Sequence, residues 1–455
     1  PGLPEWGTVA GIEPSHFDAG AAYLVVDAHR LDDMRPYLWK TSDFGRSWKR
    51  LDAGLPRDVY LHVVREDPTK KGMLYVGTET GVSFSQDDGA TWRSLKLNLP
   101  TVAVHDLAIK DSSLVLATLG RSMWILDDRQ PLFEISPQVT AQDVHLFAAP
   151  DAVLWAYHGA FRGGWGTDNP PAGAHIYYWL KNAPKGEVTI DVLNAKGTLV
   201  NTLTSKPREA TGSSEYETEE EEAFKKLAIP KEAGVQLATW DLTWAGADMI
   251  PGAKLDSGFP AFGPTAVPGE YTVRLTVDGK SQTTPLKILP DPRSRVSPAD
   301  LAAQLDLALA VRESVSRLTH TVTRLRLLRQ QLAARNDVLK NDSKAAALVK
   351  SSTDLIAKLD GLDARIENPK AEVVYDILAM KGGAKLYSRL APLFDTVKDG
   401  LGAPTAGMRQ EYAREKQELA GYEAELASLV ATDLAALEAT SSQLHLPGIY
   451  VPAAP

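Results

Sequence analysis

The sequence predicts a multidomain β plus α protein: β-propeller blades, then a β-sandwich, then a C-terminal antiparallel helical bundle. Three observations predict it. An octapeptide is written twice, as "TSDFGRSW" at residues 41–48 and as "SQDDGATW" at residues 85–92. Tyr271, Val273, Leu275 and Val277 alternate strictly before Asp278-Gly279. From Leu301 onward, apolar residues step by threes and fours for ten positions.

Residues 1–148 are read as blades. "AYLVVDA", "YLHVVRE", "GMLYVGT" and "SLVLATL" are short β-rich runs bounded by Gly, Pro and Asp. The repeat extends beyond the octapeptide: Trp48 aligns with Trp92, Leu51 with Leu95, and Leu55-Pro56 with Leu99-Pro100. A period of about 40 to 44 residues with roughly four strands per unit is the signature of a propeller blade. Two clear units and a partial one before Thr41 are too few to close a propeller, which needs about four to eight. The chain opens at Pro1, without a charged-then-apolar leader, and is expected to be the C-terminal part of a larger propeller.

Residues 149–173 read as an aromatic, Gly/Pro-rich connector. Its Trp155, Tyr157, Phe161 and Trp165 could stack on sugars or pack between domains. Residues 174–292 read as a β-sandwich, with Val188, Ile190 and Val192 alternating ahead of an "NAKG" turn. Asp278-Gly279 is a hairpin signal because both turn positions want φ > 0. The acidic run "SSEYETEEEEAFKK" is expected to be a solvated excursion. Residues 297–446 read as the bundle. Ser297, Pro298 and Asp300 make a helix start. Leu301, Leu305, Ala308, Val311, Val315, Leu318, Val322, Leu325, Leu328 and Leu332 then place one apolar stripe on a long helix. Further helices are expected near 343–364, 384–400 and 404–444, the last starting at Pro404.

Composition excludes some functions. Net charge is −9, which argues against a nucleic-acid partner. No run reaches the ~18 apolar residues of a transmembrane segment. The chain has no Cys, so it holds no disulfide and no thiolate metal site. No Ser-His-Asp set, phosphate-binding Gly loop or HExxH can be placed. No metal site and no cofactor is assigned.

The two octapeptides resemble the Asp-box, or BNR repeat, of sialidases, xyloglucanase-like glycosidases and sortilin-like receptor propellers. The wider pattern resembles large bacterial proteins with a sortilin-like BNR propeller, an Ig-like (fibronectin-III-like) domain and a helical tail. "LVLATLGRSMWILDD" resembles the closing blade of that group, and "VPGEYTVRLTVDGKSQTTPLKILPDPR" its Ig-like segment. The resemblance implies a structural role for Thr41, Asp43, Gly45, Ser47 and Trp48, and for Ser85, Asp87, Gly89, Thr91 and Trp92. The short carboxylates would accept backbone N–H groups across the turn. The glycines would supply a left-handed angle, and the tryptophans would fill space between blades.

Asp27, His29, Asp32, Asp33 and Arg121 are the candidate ligand-facing residues. They could also be loop polar groups, with Arg121 paired to Asp127 or Asp128. No catalytic residue can be named. The leading functional expectation is an extracytoplasmic ligand-binding or scaffolding protein, at the periplasm or cell surface or secreted. Its expected ligand is a glycan, peptide or protein. A second chain or N-terminal fragment would complete the propeller, and the bundle offers a surface for oligomers. Two alternatives stand beside it. One is a glycoside hydrolase, sialidase- or xyloglucanase-like, with catalytic carboxylates on blades absent from this chain. The other is a surface-assembly subunit.

Overall fold

The computed structural model describes residues 2–155, 172–206, 228–373, 375–400 and 402–453. The fold is mixed β and α. The chain divides into two compact units, Pro1–Gln142 and Asp143–Pro455.

The first unit holds three antiparallel sheets. β1 (Thr8–Pro14), β2 (Ala22–Asp27), β3 (Leu38–Thr41) and β4 (Lys49–Arg50) form one sheet in that order. β5 (Leu61–Glu66), β6 (Leu74–Thr78), β7 (Gly81–Ser85) and β8 (Arg93–Ser94) form the second. β9 (Val104–Lys110), β10 (Ser113–Thr118) and β11 (Met123–Leu126) form the third. Every strand pairs with its sequence neighbour, an order that needs only short turns. Each octapeptide joins the third strand of its sheet to the fourth. The segment before Thr41 therefore belongs to the same sheet as Lys49–Arg50 and is not a separate partial unit.

The sheets pack face to face through alternating residues. Tyr23, Val25 and Leu38 from the first sheet meet Leu61, Val64, Leu74 and Val76 from the second, with Leu51 and Leu55 between them. β6 is buried at every residue, because one face meets this cluster and the other meets the third sheet. A Cβ on Gly77 would lie 2.4 Å from the Val104 carbonyl oxygen, so β6 and β9 approach closely there. β1, β5 and β9 run side by side. Arg65 on β5 ties them together: its Nη2 bonds Asp106 at 2.7 Å, its Nε bonds the Leu107 carbonyl at 3.0 Å, and its Nη1 lies 3.5 Å from Glu13. Arg129 pairs with Asp67 at 2.6 Å, and both are almost fully buried.

The second unit begins with a two-sheet β-sandwich. Its larger sheet has the order Ala152–Leu154, Lys280–Pro290, Gly269–Val277, Val188–Asn194, Leu199–Thr204. The other has the order Val144–Leu146, Ala174–Leu180, Gly234–Trp240. Inward residues of both sheets, among them Ile176, Tyr178, Ile190, Trp240, Val273 and Leu275, form one core. The hairpin at Asp278-Gly279 has φ of 47° and 77° at those residues. Ala152–Leu154, inside the segment read as connector, is a strand running parallel to Lys280–Pro290. Trp155 follows it, half-exposed, with Arg293 over its ring at 5.3 Å. Tyr157, Phe161, Trp165 and the acidic run lie outside the described residues.

A 42-residue helix, Pro298–Leu339, leads the helical part. Ser297 Oγ accepts from the Asp300 N–H at 3.1 Å and caps it. From Ala308 to Leu332 the predicted stripe is buried against the other helices. Its first turns differ: Leu305 packs against the sandwich instead. Ala346–Ile366, Leu386–Lys398 and a run from Ala406 to Gln443 surround the long helix. The last run starts at Ala406, not at Pro404, because the Thr405 hydroxyl accepts from the Met408 N–H at 3.2 Å. It carries a π-helical turn at Val430–Leu434. Among the described residues, no helix is long and apolar enough to cross a membrane.

Candidate functional site

The two octapeptide turns are superposable bond for bond. In the first, Thr41 Oγ1 donates to Asp43 Oδ1 at 2.9 Å and accepts from the Gly45 N–H at 2.9 Å. Asp43 accepts from the Ser47 N–H at 2.8 Å and from the Ser47 hydroxyl at 2.6 Å. In the second, Ser85 Oγ donates to Asp87 at 2.8 Å and accepts from the Gly89 N–H at 2.9 Å. Asp87 accepts from the Thr91 N–H at 2.8 Å and from its hydroxyl at 2.6 Å. Gly45 and Gly89 have φ of 83° and 81°, a left-handed angle that costs glycine least. The Ser47 bonds hold Asp43 below the usual carboxylate range. At Asp87 burial pushes upward, but the Thr91 and Ser85 bonds outweigh it and the net shift is also down. Both carboxylates are thus kept as anions that close a turn.

The tryptophans diverge. Trp92 Nε1 donates to the Leu51 carbonyl at 2.8 Å, linking the second turn to the first sheet. Trp48 Nε1 donates to Gly45 within its own turn at 3.1 Å. Trp48 packs against the cluster of Leu24, Val26, Ala28, Tyr37 and Trp39 on the opposite face of the first sheet. The neighbouring position diverges too. Asp88 bonds Tyr23 at 2.7 Å and Lys40 at 2.5 Å, both on the first sheet. Phe44 occupies the corresponding place in the first turn, and it is 77% exposed.

The candidate ligand-facing residues do not form one group. Asp27 holds His29, with Nδ1 2.6 Å from Oδ2. Asp32 caps a short 3-10 turn with a left-handed φ of 61°. Asp33 is taken by Arg35 Nε at 2.8 Å and by the Tyr37 hydroxyl at 2.6 Å. The Arg35 bonds hold its carboxyl far below the usual range despite some desolvation. Arg121 is exposed on the β10–β11 turn, where its carbonyl accepts from Trp124 Nε1 at 3.0 Å.

What the fold assembles beside Asp27 and His29 is a different set, at one end of the inner strands. The His29 ring stacks on Tyr60, with centroids 4.5 Å apart and planes 18° apart. Tyr60 meets His62 edge-on at 5.1 Å, and His62 meets His105 at 4.2 Å. His62 is the second residue of β5 and His105 the second of β9. Glu79, just past β6, lies 2.9 Å from His62 Nε2 through its Oε2. The Glu79 N–H also donates to the Tyr60 carbonyl at 3.2 Å, which fixes the loop. Burial pushes the Glu79 carboxyl up, but His62, the Tyr60 hydroxyl and His105 outweigh it and hold it down. Burial and the nearby Glu79 and Asp27 carboxylates push the Tyr60 hydroxyl up to about 12, so it remains a donor at neutral pH. Ligating atoms of His62, Glu79 and His105 all lie within 4.8 Å of one another. Two imidazoles and a carboxylate at that separation can hold a cation or orient a polar ligand.

No family model matches this chain, and no curated protein matches it. Solved structures give faint likenesses. The extracellular domain of BT4673 from B. thetaiotaomicron is 11% identical, with a TM-score of 0.19, over 59% of this chain and 30% of that one. The GH74 enzyme of Niastella koreensis is 12% identical, with a TM-score of 0.22, over 62% of this chain and 46% of that one. YCF48 bound to D1 peptide is 11% identical, with a TM-score of 0.19, over 62% and 67%. This chain thus spans under half the length of the first two. At such scores the architecture rests on the chain's own strands and turns.

Proposed function

We propose that the first unit is the C-terminal part of a sortilin-like Asp-box β-propeller. Its remaining blades would lie on a second chain or an N-terminal fragment. On this reading the protein is an extracytoplasmic ligand-binding or scaffolding protein, and the Ig-like sandwich and helical bundle serve as docking elements. The observation that carries the reading is the third sheet. Val115, Ile125, Ala108 and Met123 share its face opposite the buried Leu107, Leu114 and Leu116. Met123 is 71% exposed and Ile125 58%. Among the described residues β11 pairs only with β10, so its outer edge offers a row of backbone groups to a further strand. The inequality of Phe44 and Asp88 supports the same reading at the other end of the array. Asp88 contacts a preceding sheet, whereas Phe44 waits for one.

The ligand is expected at the end of the inner strands, where His29, Tyr60, His62 and His105 stack. A photo-crosslinking residue placed at Ile125 tests the arrangement in the organism of origin. The expected product is a crosslink to a polypeptide segment that carries further octapeptides of the same template. Crosslinks solely to a second copy of this chain, or to none, would overturn it. Glycoside hydrolysis by the purified particle would replace the binding reading with the enzymatic one.

A further inference from the structure

We propose that His62, Glu79 and His105 form a binding site for a divalent transition-metal ion of the zinc type. The donor set decides the class of ion. Two imidazoles favour zinc, copper, nickel or iron, whereas calcium and magnesium prefer sites made of oxygens. Three protein ligands leave a fourth position for water or for a ligand group, as in sites that act on or hold a bound molecule.

The geometry requires little movement. Ligands of a tetrahedral zinc ion stand about 3.3 Å apart, given bonds of about 2.0–2.1 Å. His62 and Glu79 are already at 2.9 Å, and no ligating atom of the triad is more than 4.8 Å from another. The remaining adjustment falls on His105, which is exposed. The other two are anchored. His62 is partly buried on β5 against the Tyr60 ring, and the Glu79 backbone is held by Tyr60. The Tyr60 hydroxyl lies near enough to the Glu79 carboxylate to hold it down, and an outer group of this kind orients a metal ligand. Tyr60 is itself braced by His29, whose Nδ1 is pinned by Asp27. The ligands come from two adjacent sheets, so the ion would also fasten β5 to β9. The site stands on these contacts alone and holds whether or not further blades complete the unit.

The test is zinc binding by the purified chain, measured by competition with a chromogenic chelator and with cobalt as the spectroscopic probe. The wild type is expected to take one zinc ion per chain at the site and to give the intense visible bands of tetrahedral cobalt. His62→Gln and His105→Gln should each weaken zinc binding by more than about 100-fold. Tyr60→Phe should weaken it by about 10–100-fold, the usual cost of losing outer support. His320→Gln is the control. It lies in the second unit, paired with Asp248 at 2.8 Å, and should leave zinc binding unchanged. Circular dichroism checks that each variant folds, and His105 is exposed enough for its variant to keep the fold. Equal zinc uptake by the wild type and by the His62→Gln/His105→Gln double variant would overturn the proposal. A loss in only one of the two single histidine variants would overturn it as well.

Discussion

Glu415, wholly buried in the helical part, makes the stability of that part depend on pH. Its carboxyl lies on the helix Ala406–Leu429, 3.7 Å from Arg389 Nε and 3.7 Å from Arg414 Nη2, too far for a hydrogen bond to either. Burial pushes the carboxyl up to about 7, and the Arg389 charge offsets only part of that push. Its unfolded value is near the ordinary 4.5. The folded protein therefore binds a proton more tightly than the unfolded chain. Stability is fullest below pH ~4.5 and falls as pH rises toward 7, beyond which the loss is complete. At about 1.4 kcal/mol per unit, the loss is about 3 kcal/mol. Glu415→Gln keeps the shape and removes the charge, so it should abolish this slope. The assay is urea unfolding of both proteins at about pH 5 and about pH 8, followed by far-ultraviolet circular dichroism, which reports the helices. The wild-type midpoint should drop by roughly 1 M between those conditions, and the variant's should drop much less. Equal drops in the two proteins would refute the reasoning.

Two further predictions concern the first unit. Arg129→Met leaves Asp67 buried without its partner and should destabilise the unit by about 3–5 kcal/mol at neutral pH. Burial pushes Asp67 up, but Arg129 and Thr69 outweigh it and hold its carboxyl low. That stabilisation is present above the unfolded value of about 4 and is lost as pH falls through the lower folded value. The gap between variant and wild type in thermal unfolding should therefore narrow below about pH 4. A gap independent of pH would contradict the ion-pair account. Asp87→Ala removes the acceptor of Thr91 and Ser85 and should cost about 1–2 kcal/mol without altering zinc binding. Loss of zinc binding with an intact fold would show that the turn does more than close a hairpin.

The parts of this protein legible in the sequence are those whose signal is local. The octapeptide packs a hydroxyl, a carboxylate and a glycine into eight residues, and its bonds run between positions two and four apart. The long helix shows its stripe because each buried residue repeats the same face. The hairpin at Asp278-Gly279 is equally local. The start of the last helix was less legible than that at Ser297: Pro404 and Thr405 are both acceptable near an N-terminus, and only the bond to Met408 decides.

The inner-strand cluster was not legible, because His62, Glu79 and His105 come from three segments that only the sheet pairing brings together. A trace of it was present. The second histidine stands 43 residues after the first, whereas Trp92 stands 44 after Trp48, so one loop is a residue shorter. Allowing for that residue aligns "LHVV" with "VHDL" and places both histidines at one repeat position. The group formed by Asp27, His29, Asp32 and Asp33 shows the converse: nearness in sequence does not make one site. Those residues are close in sequence, but Asp33 turns to Arg35 and Tyr37 while Asp27 turns to His29.

Whether the first unit is one part of a larger propeller is decided by the native mass of the particle in its source, with every polypeptide in it sequenced. The expected finding is either one polypeptide longer than this 49.3 kDa chain or a second polypeptide bound to it, with further octapeptides of the template in either case. A particle made only of 49.3 kDa chains, singly or in multiples, would contradict it.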